Sequence, residues 1–356
     1  MIFTAAGTIG QVGIIPSEAK FKRYVISNKQ IRARLNAEII DIDYAYYWFS
    51  SPWIRKILMN SNKGSTVPLL TLSEVKQLPI SYPVDKTAQK KISGLLNAIY
   101  KKIELNNQII AELEAMAKTL YDYWFLQFDF PDENGKPYRS SGGKMVYNEE
   151  VKREIPEGWE VVKIDSLIAV KDGTHDSPQY LKEGKYLITS KHLLPSGLDF
   201  SSANRISEED FDSINKRSKV ENGDILFSMI GAVGIVYRVN EQVIDFAIKN
   251  VALYKSSKLP YIQEYLEQTL TSALMDAYIT QCNAGSIQKF VSLSQLRAML
   301  IVYNEKILKL YSQQAGVYFN KIILLKRENR EFISLRDFLL PMLMNGQVTF
   351  KDIKED

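Results

Sequence analysis

The chain repeats itself once, and this repeat constrains its fold more than any other feature of the sequence. Phe3-Thr4-Ala5-Ala6-Gly7-Thr8-Ile9-Gly10 matches Phe227-Ser228-Met229-Ile230-Gly231-Ala232-Val233-Gly234. Lys29-Gln30-Ile31 matches Lys249-Asn250-Val251, and Asn62-Lys63-Gly64-Ser65 matches Asn283-Ala284-Gly285-Ser286. The run from Leu69 to Lys76 matches the run from Phe290 to Arg297. The four pairs are collinear, with spacings between 220 (Lys29 to Lys249) and 224 (Phe3 to Phe227) residues. Solenoid units repeat every 20–50 residues or so, roughly speaking, so this spacing means a duplicated domain plus a connector. The copies are unequal. A stretch from about Trp159 to Ile225 precedes the Phe-Ser-x-x-Gly motif in the second copy, whereas the first copy starts at that motif. The first copy is therefore expected to lack its N-terminal half.

After Pro83 the pattern turns helical. Apolar residues fall at Ile92, Leu96, Ile99, Ile103, Ile110, Leu113, Ala117 and Leu120, with Asn106 in the one polar slot. The steps alternate four and three, which is a heptad seam. A weaker counterpart follows the second copy at Leu325, Asn329, Phe332, Leu335, Leu339 and Met342, and Asn329 lies 223 residues after Asn106. One polar residue in such a seam can fix register and partner choice. Each helix is expected to run about 40 residues, roughly 60 Å at 1.5 Å per residue. Neither has another long partner in the sequence, so the two are expected to pair antiparallel and hold two equivalent domains at opposite ends. An ordinary two-helix packing element is the plainer alternative. The segment from Phe128 to Met145 is rich in Gly, Pro and Ser and reads as a connector. Ile155-Pro156-Glu157-Gly158-Trp159 then opens the second domain.

Composition narrows the function classes. A length of 356 residues suffices for two or three domains. Hydrophobic residues at 46% and charged residues at 24% fit a chain that buries a core. No apolar run approaches the length of a membrane span, and the start lacks a basic signal-peptide region. Cys282 stands alone and forms no internal disulfide, which fits a reducing cytoplasm. The net charge of +4 permits nucleic-acid binding without arguing for it, since a solvated surface of mixed sign gives the same figure. The local distribution says more: between Glu18 and Arg34 the bases Lys20, Lys22, Arg23, Lys29, Arg32 and Arg34 face the single acid Glu18.

Catalytic candidates are few. The two histidines, His175 and His192, and Cys282 form no pair with zinc-ligand spacing. No Gly-x4-Gly-Lys-Ser/Thr phosphate loop occurs. Gly7-x-x-Gly10-x-x-Gly13 follows no strand of a βαβ unit, and its duplicate around Gly231 lacks the third glycine, so it reads as a turn or a close backbone approach. No two prolines are adjacent, which removes the Asn/Asp-Pro-Pro-aromatic motif of amino-methyltransferases. Glu133 and Lys136 are spaced wrongly for a nuclease metal motif. Asp and Glu show no paired arrangement suited to acid/base work.

Three motifs carry a resemblance along essentially the whole chain. They are Gly223-Asp224-Ile225-Leu226-Phe227-Ser228-Met229-Ile230-Gly231, the helix Leu105 to Ala117, and Glu133-Asn134-Gly135-Lys136-Pro137-Tyr138. In this order, with a duplication, the sequence resembles the specificity subunits of type I restriction–modification systems. Asp172-Gly173-Thr174-His175-Asp176-Ser177-Pro178 with Leu187-Ile188-Thr189-Ser190-Lys191 looks like one sequence-reading subclass. The resemblance implies two target recognition domains, each reading half of a split DNA site, with two helices setting the gap. It implies that this chain binds no cofactor. Modification (methyltransferase) subunits would supply S-adenosylmethionine chemistry, and restriction/translocase subunits would supply ATP- and Mg-dependent cleavage. The unequal first copy departs from the pattern. A split or rearranged gene, a complementing chain, or pairing of two copies of this chain would each explain it.

Base reading needs side chains that donate and accept in the major groove, and backbone positioning needs Lys, Arg and hydroxyls. The candidates are Lys171, Thr174 and His175 on one loop and Ser190, Lys191 and His192 on another. Lys216, Arg217, Ser228, Lys249 and Asn250 follow, with Ser286, Gln288 and Lys289 in a short polar loop that reads equally as a plain turn. For any single His or Ser here, a structural role is an equal alternative. In the first copy Lys22, Arg23, Arg32 and Arg34 are candidates for DNA backbone contact, or for a solvated basic face.

The expected fold is α+β: duplicated mixed α/β DNA target recognition domains, the first truncated, separated by two long antiparallel coiled-coil helices. The expected parts are the truncated domain (1–83), a long helix (84–126), a connector (127–158), the intact domain (159–303), a second helix (304–346) and a tail (347–356). The expected function is non-catalytic, cytoplasmic selection of a DNA site for adenine methylation and restriction by partner subunits. The rival is a docking protein that binds modification subunits through its helices without reading double-stranded DNA.

Overall fold

A computed structural model of the chain describes residues 1–7, 9–15, 19–60, 69–194, 197–283 and 290–350. The repeat match at Asn62-Lys63-Gly64-Ser65 lies outside these residues, as does its partner beyond Asn283. In chain order the elements are β1 (Ile2–Thr4), β2 (Val12–Gly13), β3 (Gln30–Arg32), α1 (Ile42–Ser50), α2 (Pro52–Asn60), α3 (Leu72–Lys76) and α4 (Lys86–Tyr121). Next come β4 (Met145–Asn148), β5 (Arg153–Pro156), β6 (Glu160–Lys163), α5 (Ile164–Leu167), β7 (Val170–Asp172) and β8 (Lys185–Thr189). Then follow β9 (Leu193–Leu194), β10 (Gly197–Leu198), β11 (Asn204–Ile206), α6 (Glu208–Ser218), β12 (Ile225–Ser228), β13 (Val236–Arg238), β14 (Phe246–Lys249) and β15 (Val251–Tyr254). The chain closes with α7 (Gln263–Leu270), α8 (Ala273–Cys282), α9 (Leu293–Ala298), β16 (Leu300–Tyr303) and α10 (Glu305–Met344). Two compact units divide it: residues 1–108 with 327–356, and residues 109–326.

The first unit holds the antiparallel sheet β2-β1-β3. Its core gathers Phe3, Tyr44, Ile54, Leu58 and Leu96, with Leu340 and Leu343 of α10. The second unit holds the sheet β13-β12-β15-β7 and the sheet β11-β8-β14, in which β8 and β14 run parallel. β16 pairs with β6 in the same unit. The fold is therefore mixed, as expected.

The sequence repeat is a repeat of structure, with one shift of register: Ile31, matched to Val251 in sequence, takes the place of Ala252 in the sheet. Phe3 faces Val12 and Ile31, while Phe227 faces Val236 and Ala252. The bridge Ala6–Leu69 has its counterpart in Ile230–Phe290. Thr71 and Glu74 form a capping box on α3, as Ser292 and Gln295 do on α9; each box satisfies two amides that a helix start leaves unpaired. The Tyr44 hydroxyl donates to the Ser81 carbonyl at 2.9 Å, and the Tyr265 hydroxyl donates to the Val302 carbonyl at 2.9 Å. Gly7 and Gly10 have φ of 85° and 84°, and Gly231 and Gly234 have 77° and 97°. The motif is thus a turn in both copies.

The long helices are as expected in extent. In the first unit Ile92 and Leu96 of α4 pack with Leu340, Leu343 and Met344 of α10. In the second unit Ala117 and Tyr121 pack with Ala315 and Phe319, and Ile110 packs with Ile322 and Leu325. Early α4 thus meets late α10 and late α4 meets early α10, so the pair is antiparallel. One seam residue is corrected: Leu335 is 43% exposed. Arg336 turns toward the partner helix in its place, with its guanidinium 5.3 Å from the centre of the Tyr100 ring. Residues 127–158 do more than connect. Phe128 and Phe130 are buried, Tyr138 stacks on Phe130 at 4.8 Å, and β4 and β5 form a hairpin.

Candidate nucleic-acid interface

Three strand ends of the second unit converge on one loop cluster. β7 ends at Asp172, β8 at Thr189 and β14 at Lys249. Gly173 follows β7 because the backbone of β14 passes too close for a side chain: a Cβ there would lie 2.2 Å from the Ile248 carbonyl oxygen. The Gly173 and Thr174 amides donate to the Val251 and Ile248 carbonyls, each at 3.0 Å. Between β14 and β15, Asn250 sits at φ 53°, a left-handed conformation that asparagine tolerates better than most residues. These bonds fix the loop Thr174–Pro178 to the β14–β15 turn.

On this frame the side chains lock one another. His175 Nδ1 lies 2.8 Å from Asn250 Oδ1, and His175 Nε2 lies 2.8 Å from Asp172 Oδ2. Asp172 is buried, and its other oxygen takes the guanidinium of Arg217 from the last turn of α6. α6 suits that role. Ser207 caps its start, Glu208, Glu209 and Asp210 fill its first turn, and Lys216 and Arg217 fill its last, each charge matched to the helix dipole. The Ser190 hydroxyl donates to the Asn250 carbonyl at 3.1 Å, and Lys249 Nζ donates to the Ser177 hydroxyl at 2.7 Å. His175, Lys191, Lys216 and Arg217 are exposed, and Lys171, Thr174, Ser190, Lys249 and Asn250 are half-buried.

Two expected contacts are corrected. His192 is fully buried, and its Nδ1 accepts from the Thr189 amide at 2.9 Å, which closes the turn after β8. Burial, with Lys191 beside it, holds its pKa below the ordinary histidine value. Ser228 is also fully buried. Its hydroxyl donates to the Ala232 carbonyl at 2.5 Å and accepts from the Ile235 amide at 2.8 Å. Both side chains build turns and present nothing to a ligand. Ser286, Gln288 and Lys289 lie outside the described residues. In the first unit Lys22, Arg23, Arg32 and Arg34 are exposed, and none makes an ion pair among the described residues.

Sequence reasoning missed Asp172 and Ser177 as the residues that orient His175, Arg217 and Lys249. The Asp-Gly-Thr-His motif was the available signal. The cluster offers hydroxyls, an amide, an imidazole and cations at its rim, the groups that hydrogen-bond base edges and phosphates. Among the described residues no group of three or more His, Cys, Asp or Glu is placed to hold a metal ion, and no helix is long and apolar enough to cross a membrane.

Residues 1–115 match the family model described as the type I restriction modification DNA specificity domain. The chain is 26% identical to the type I restriction enzyme MjaIX specificity subunit of Methanocaldococcus jannaschii, over 99% of this chain and 78% of that one. It is 22% identical to the HindI specificity subunit of Haemophilus influenzae, over 91% of this chain and 81% of that one. In fold it is similar to the crystal structure of a type I restriction–modification S subunit from M. genitalium, with a TM-score of 0.58 and 16% identity over 99% of this chain and 83% of that one. The chain is thus similar, along nearly its whole length, to type I restriction enzyme specificity subunits.

Proposed function

We propose that this chain selects the DNA site for a type I restriction–modification complex and carries out no chemistry on it. The observation that carries this reading is the duplicated scaffold. One sheet, one capped helix and one long helix recur with matched register, and a recurring scaffold suits a split site read in two halves. In the second copy Lys171, Thr174, His175, Ser190, Lys191, Lys216, Arg217, Lys249 and Asn250 are the reading set. Those held rigidly by neighbours suit base edges, because a fixed donor discriminates between bases better than a mobile one. In the first copy Lys22, Arg23, Arg32 and Arg34 suit phosphates. Residues 1–83 and 159–303 are the two recognition domains, and the helices within 84–126 and 304–346 join them. Modification subunits that use S-adenosylmethionine, and restriction subunits that use ATP and Mg, are the partners, and the complex works in the cytoplasm.

The test is co-purification with the cognate modification subunit, followed by mapping of methylated adenines on random-sequence DNA. A defined motif supports the reading. A palindrome would mean that two chains read through the second copy, and an asymmetric motif that the first copy or a partner reads as well. A stable complex without site preference would reduce the chain to a docking protein.

A further inference from the structure

The second copy shows what covers the edges of β15 and β16 whose counterparts in the first copy are left unpaired among the described residues. In the second unit β7 takes the outer edge of β15, with Lys171 opposite Leu253 and Val170 opposite Tyr254. The Lys255 amide completes that edge by donating to the Ala169 carbonyl at 3.0 Å. β6 takes the edge of β16, with Val162 opposite Ile301. Both covering strands belong to one short run, Glu160 to Asp172, bent at α5. The run buries Ile164, Ile168 and Val170. Arg297 of α9 clamps it, since its Nε donates to the Val170 carbonyl at 2.8 Å and lies 3.8 Å from the Asp165 carboxylate.

In the first unit β3 is the counterpart of β15, and among the described residues no strand pairs with its outer edge. Gln30 and Arg32 are exposed and Ile31 is half-buried, whereas β15 is buried throughout. Residues 79–82 are the counterpart of β16, yet they form no strand. On α3, Lys76 stands where α9 has Arg297, and it is exposed. Val75 is half-buried where Leu296 is fully buried, and Leu72 is 53% exposed. An uncovered strand edge is a template for pairing with another chain.

We infer that the first copy takes up a polypeptide segment, outside residues 1–356, with the strand–helical turn–strand pattern of Glu160 to Asp172. The segment adds one strand to β3 and another to residues 79–82. Its chemistry follows from the occupant of the second unit: apolar residues at the positions of Ile164, Ile168 and Val170, and an acid at the position of Asp165 to meet Lys76. This concerns the completion of a fold and stands whether or not the chain reads DNA.

Hydrogen–deuterium exchange of the full chain tests it. The probe is a polypeptide of residues 155–176 of this sequence, added free in one arm. In a second arm it is fused ahead of Met1 through a flexible linker, which raises its effective concentration to about millimolar. The expected result is that amides of residues 30–34 and 80–82 exchange about tenfold more slowly in at least the fused arm. Arg32→Pro, which removes an amide from the outer edge of β3, and Lys76→Glu, which reverses the clamp charge, should each abolish that slowing while leaving the helical circular dichroism unchanged. Unchanged exchange in both arms overturns the inference. So does slow exchange of residues 30–34 in the chain alone at the mass of a dimer, because the occupant would then be a second copy.

Discussion

The side-chain amide of Asn106 donates to Oδ1 of Asn329 at 2.9 Å, joining the polar seam positions of the two copies. Both residues are buried; Asn106 also donates to Glu328 at 2.7 Å, and Asn329 donates to Asn107 at 2.9 Å. Asn106→Ala should cost about 1–3 kcal/mol, because the buried Asn329 Oδ1 would lose its donor. The double variant Asn106→Leu, Asn329→Leu should recover that loss, because replacing both partners by apolar groups leaves no orphan. It should also pair less selectively, because a buried polar layer specifies register and partner. Urea midpoints report the first effect and light-scattering mass the second. A double variant less stable than the single one would refute the argument.

The two cases where the sequence pattern went astray share a cause. The heptad seam was legible from apolar spacing up to Phe332, but at Arg336 a long cation lies over Tyr100, and counting apolar residues passes it by. His192 and Ser228 have the side chains of DNA readers, yet tertiary packing turned both inward to close backbone turns. Asp172 went unseen for the converse reason. A carboxylate is a poor ligand for DNA, and its use in holding His175 and Arg217 exists only once β7 and α6 meet. The duplication was legible because caps, turn glycines and strand residues recur in order, and each element that they dictate is local.

Gly173 should tolerate no side chain. A Cβ would meet the Ile248 carbonyl oxygen at 2.2 Å and the Lys249 nitrogen at 2.7 Å, all of it backbone. Gly173→Ala should therefore destabilise the second unit by about 3 kcal/mol or more, since the clash is with backbone that cannot give, and displace Thr174 and His175. Gly231→Ala is the contrast, since nothing lies within 4 Å of its Cβ and only its φ of 77° is unfavourable. Its cost should stay near 1–2 kcal/mol, roughly that of a left-handed residue. Thermal unfolding of the pair separates steric from conformational strain. Equal losses would contradict the close approach.

Asp172→Asn removes the charge that holds Arg217 while keeping the size of the side chain. The variant should fold, and its preference for a specific site over unrelated DNA should fall about tenfold, the equivalent of about 1.4 kcal/mol. Competition binding measures this. Unchanged preference would mean that His175 and Arg217 read nothing.

His192 should make stability depend on pH. Its folded pKa lies below the ordinary value of 6.5, chiefly because it is buried. Near and below pH 6.5 the unfolded chain therefore binds a proton that the folded chain resists, so stability is full above pH 6.5 and falls as the pH drops toward the folded value. Melting temperatures between pH 7.5 and 5.5 should show the decline, and His192→Gln should flatten it. An equal decline in the variant would assign it to other groups.

Lys191 and Lys249 differ in a way that salt dependence can read. Lys191 is exposed, while Lys249 is half-buried and bonded to Ser177. A lysine that serves a phosphate releases a counterion on binding, so losing it lowers the salt slope by about 0.9 and weakens all sequences alike. Lys191→Ala should do this. Lys249 is held in place by Ser177, as a base-reading side chain must be, and Lys249→Ala should instead cost about 1–3 kcal/mol against the preferred sequence alone and leave the slope near its original value. Binding isotherms at several salt concentrations, on preferred and scrambled duplexes, distinguish the two roles. If both variants change only the slope, the ordered cluster positions the duplex, and the bases are read elsewhere.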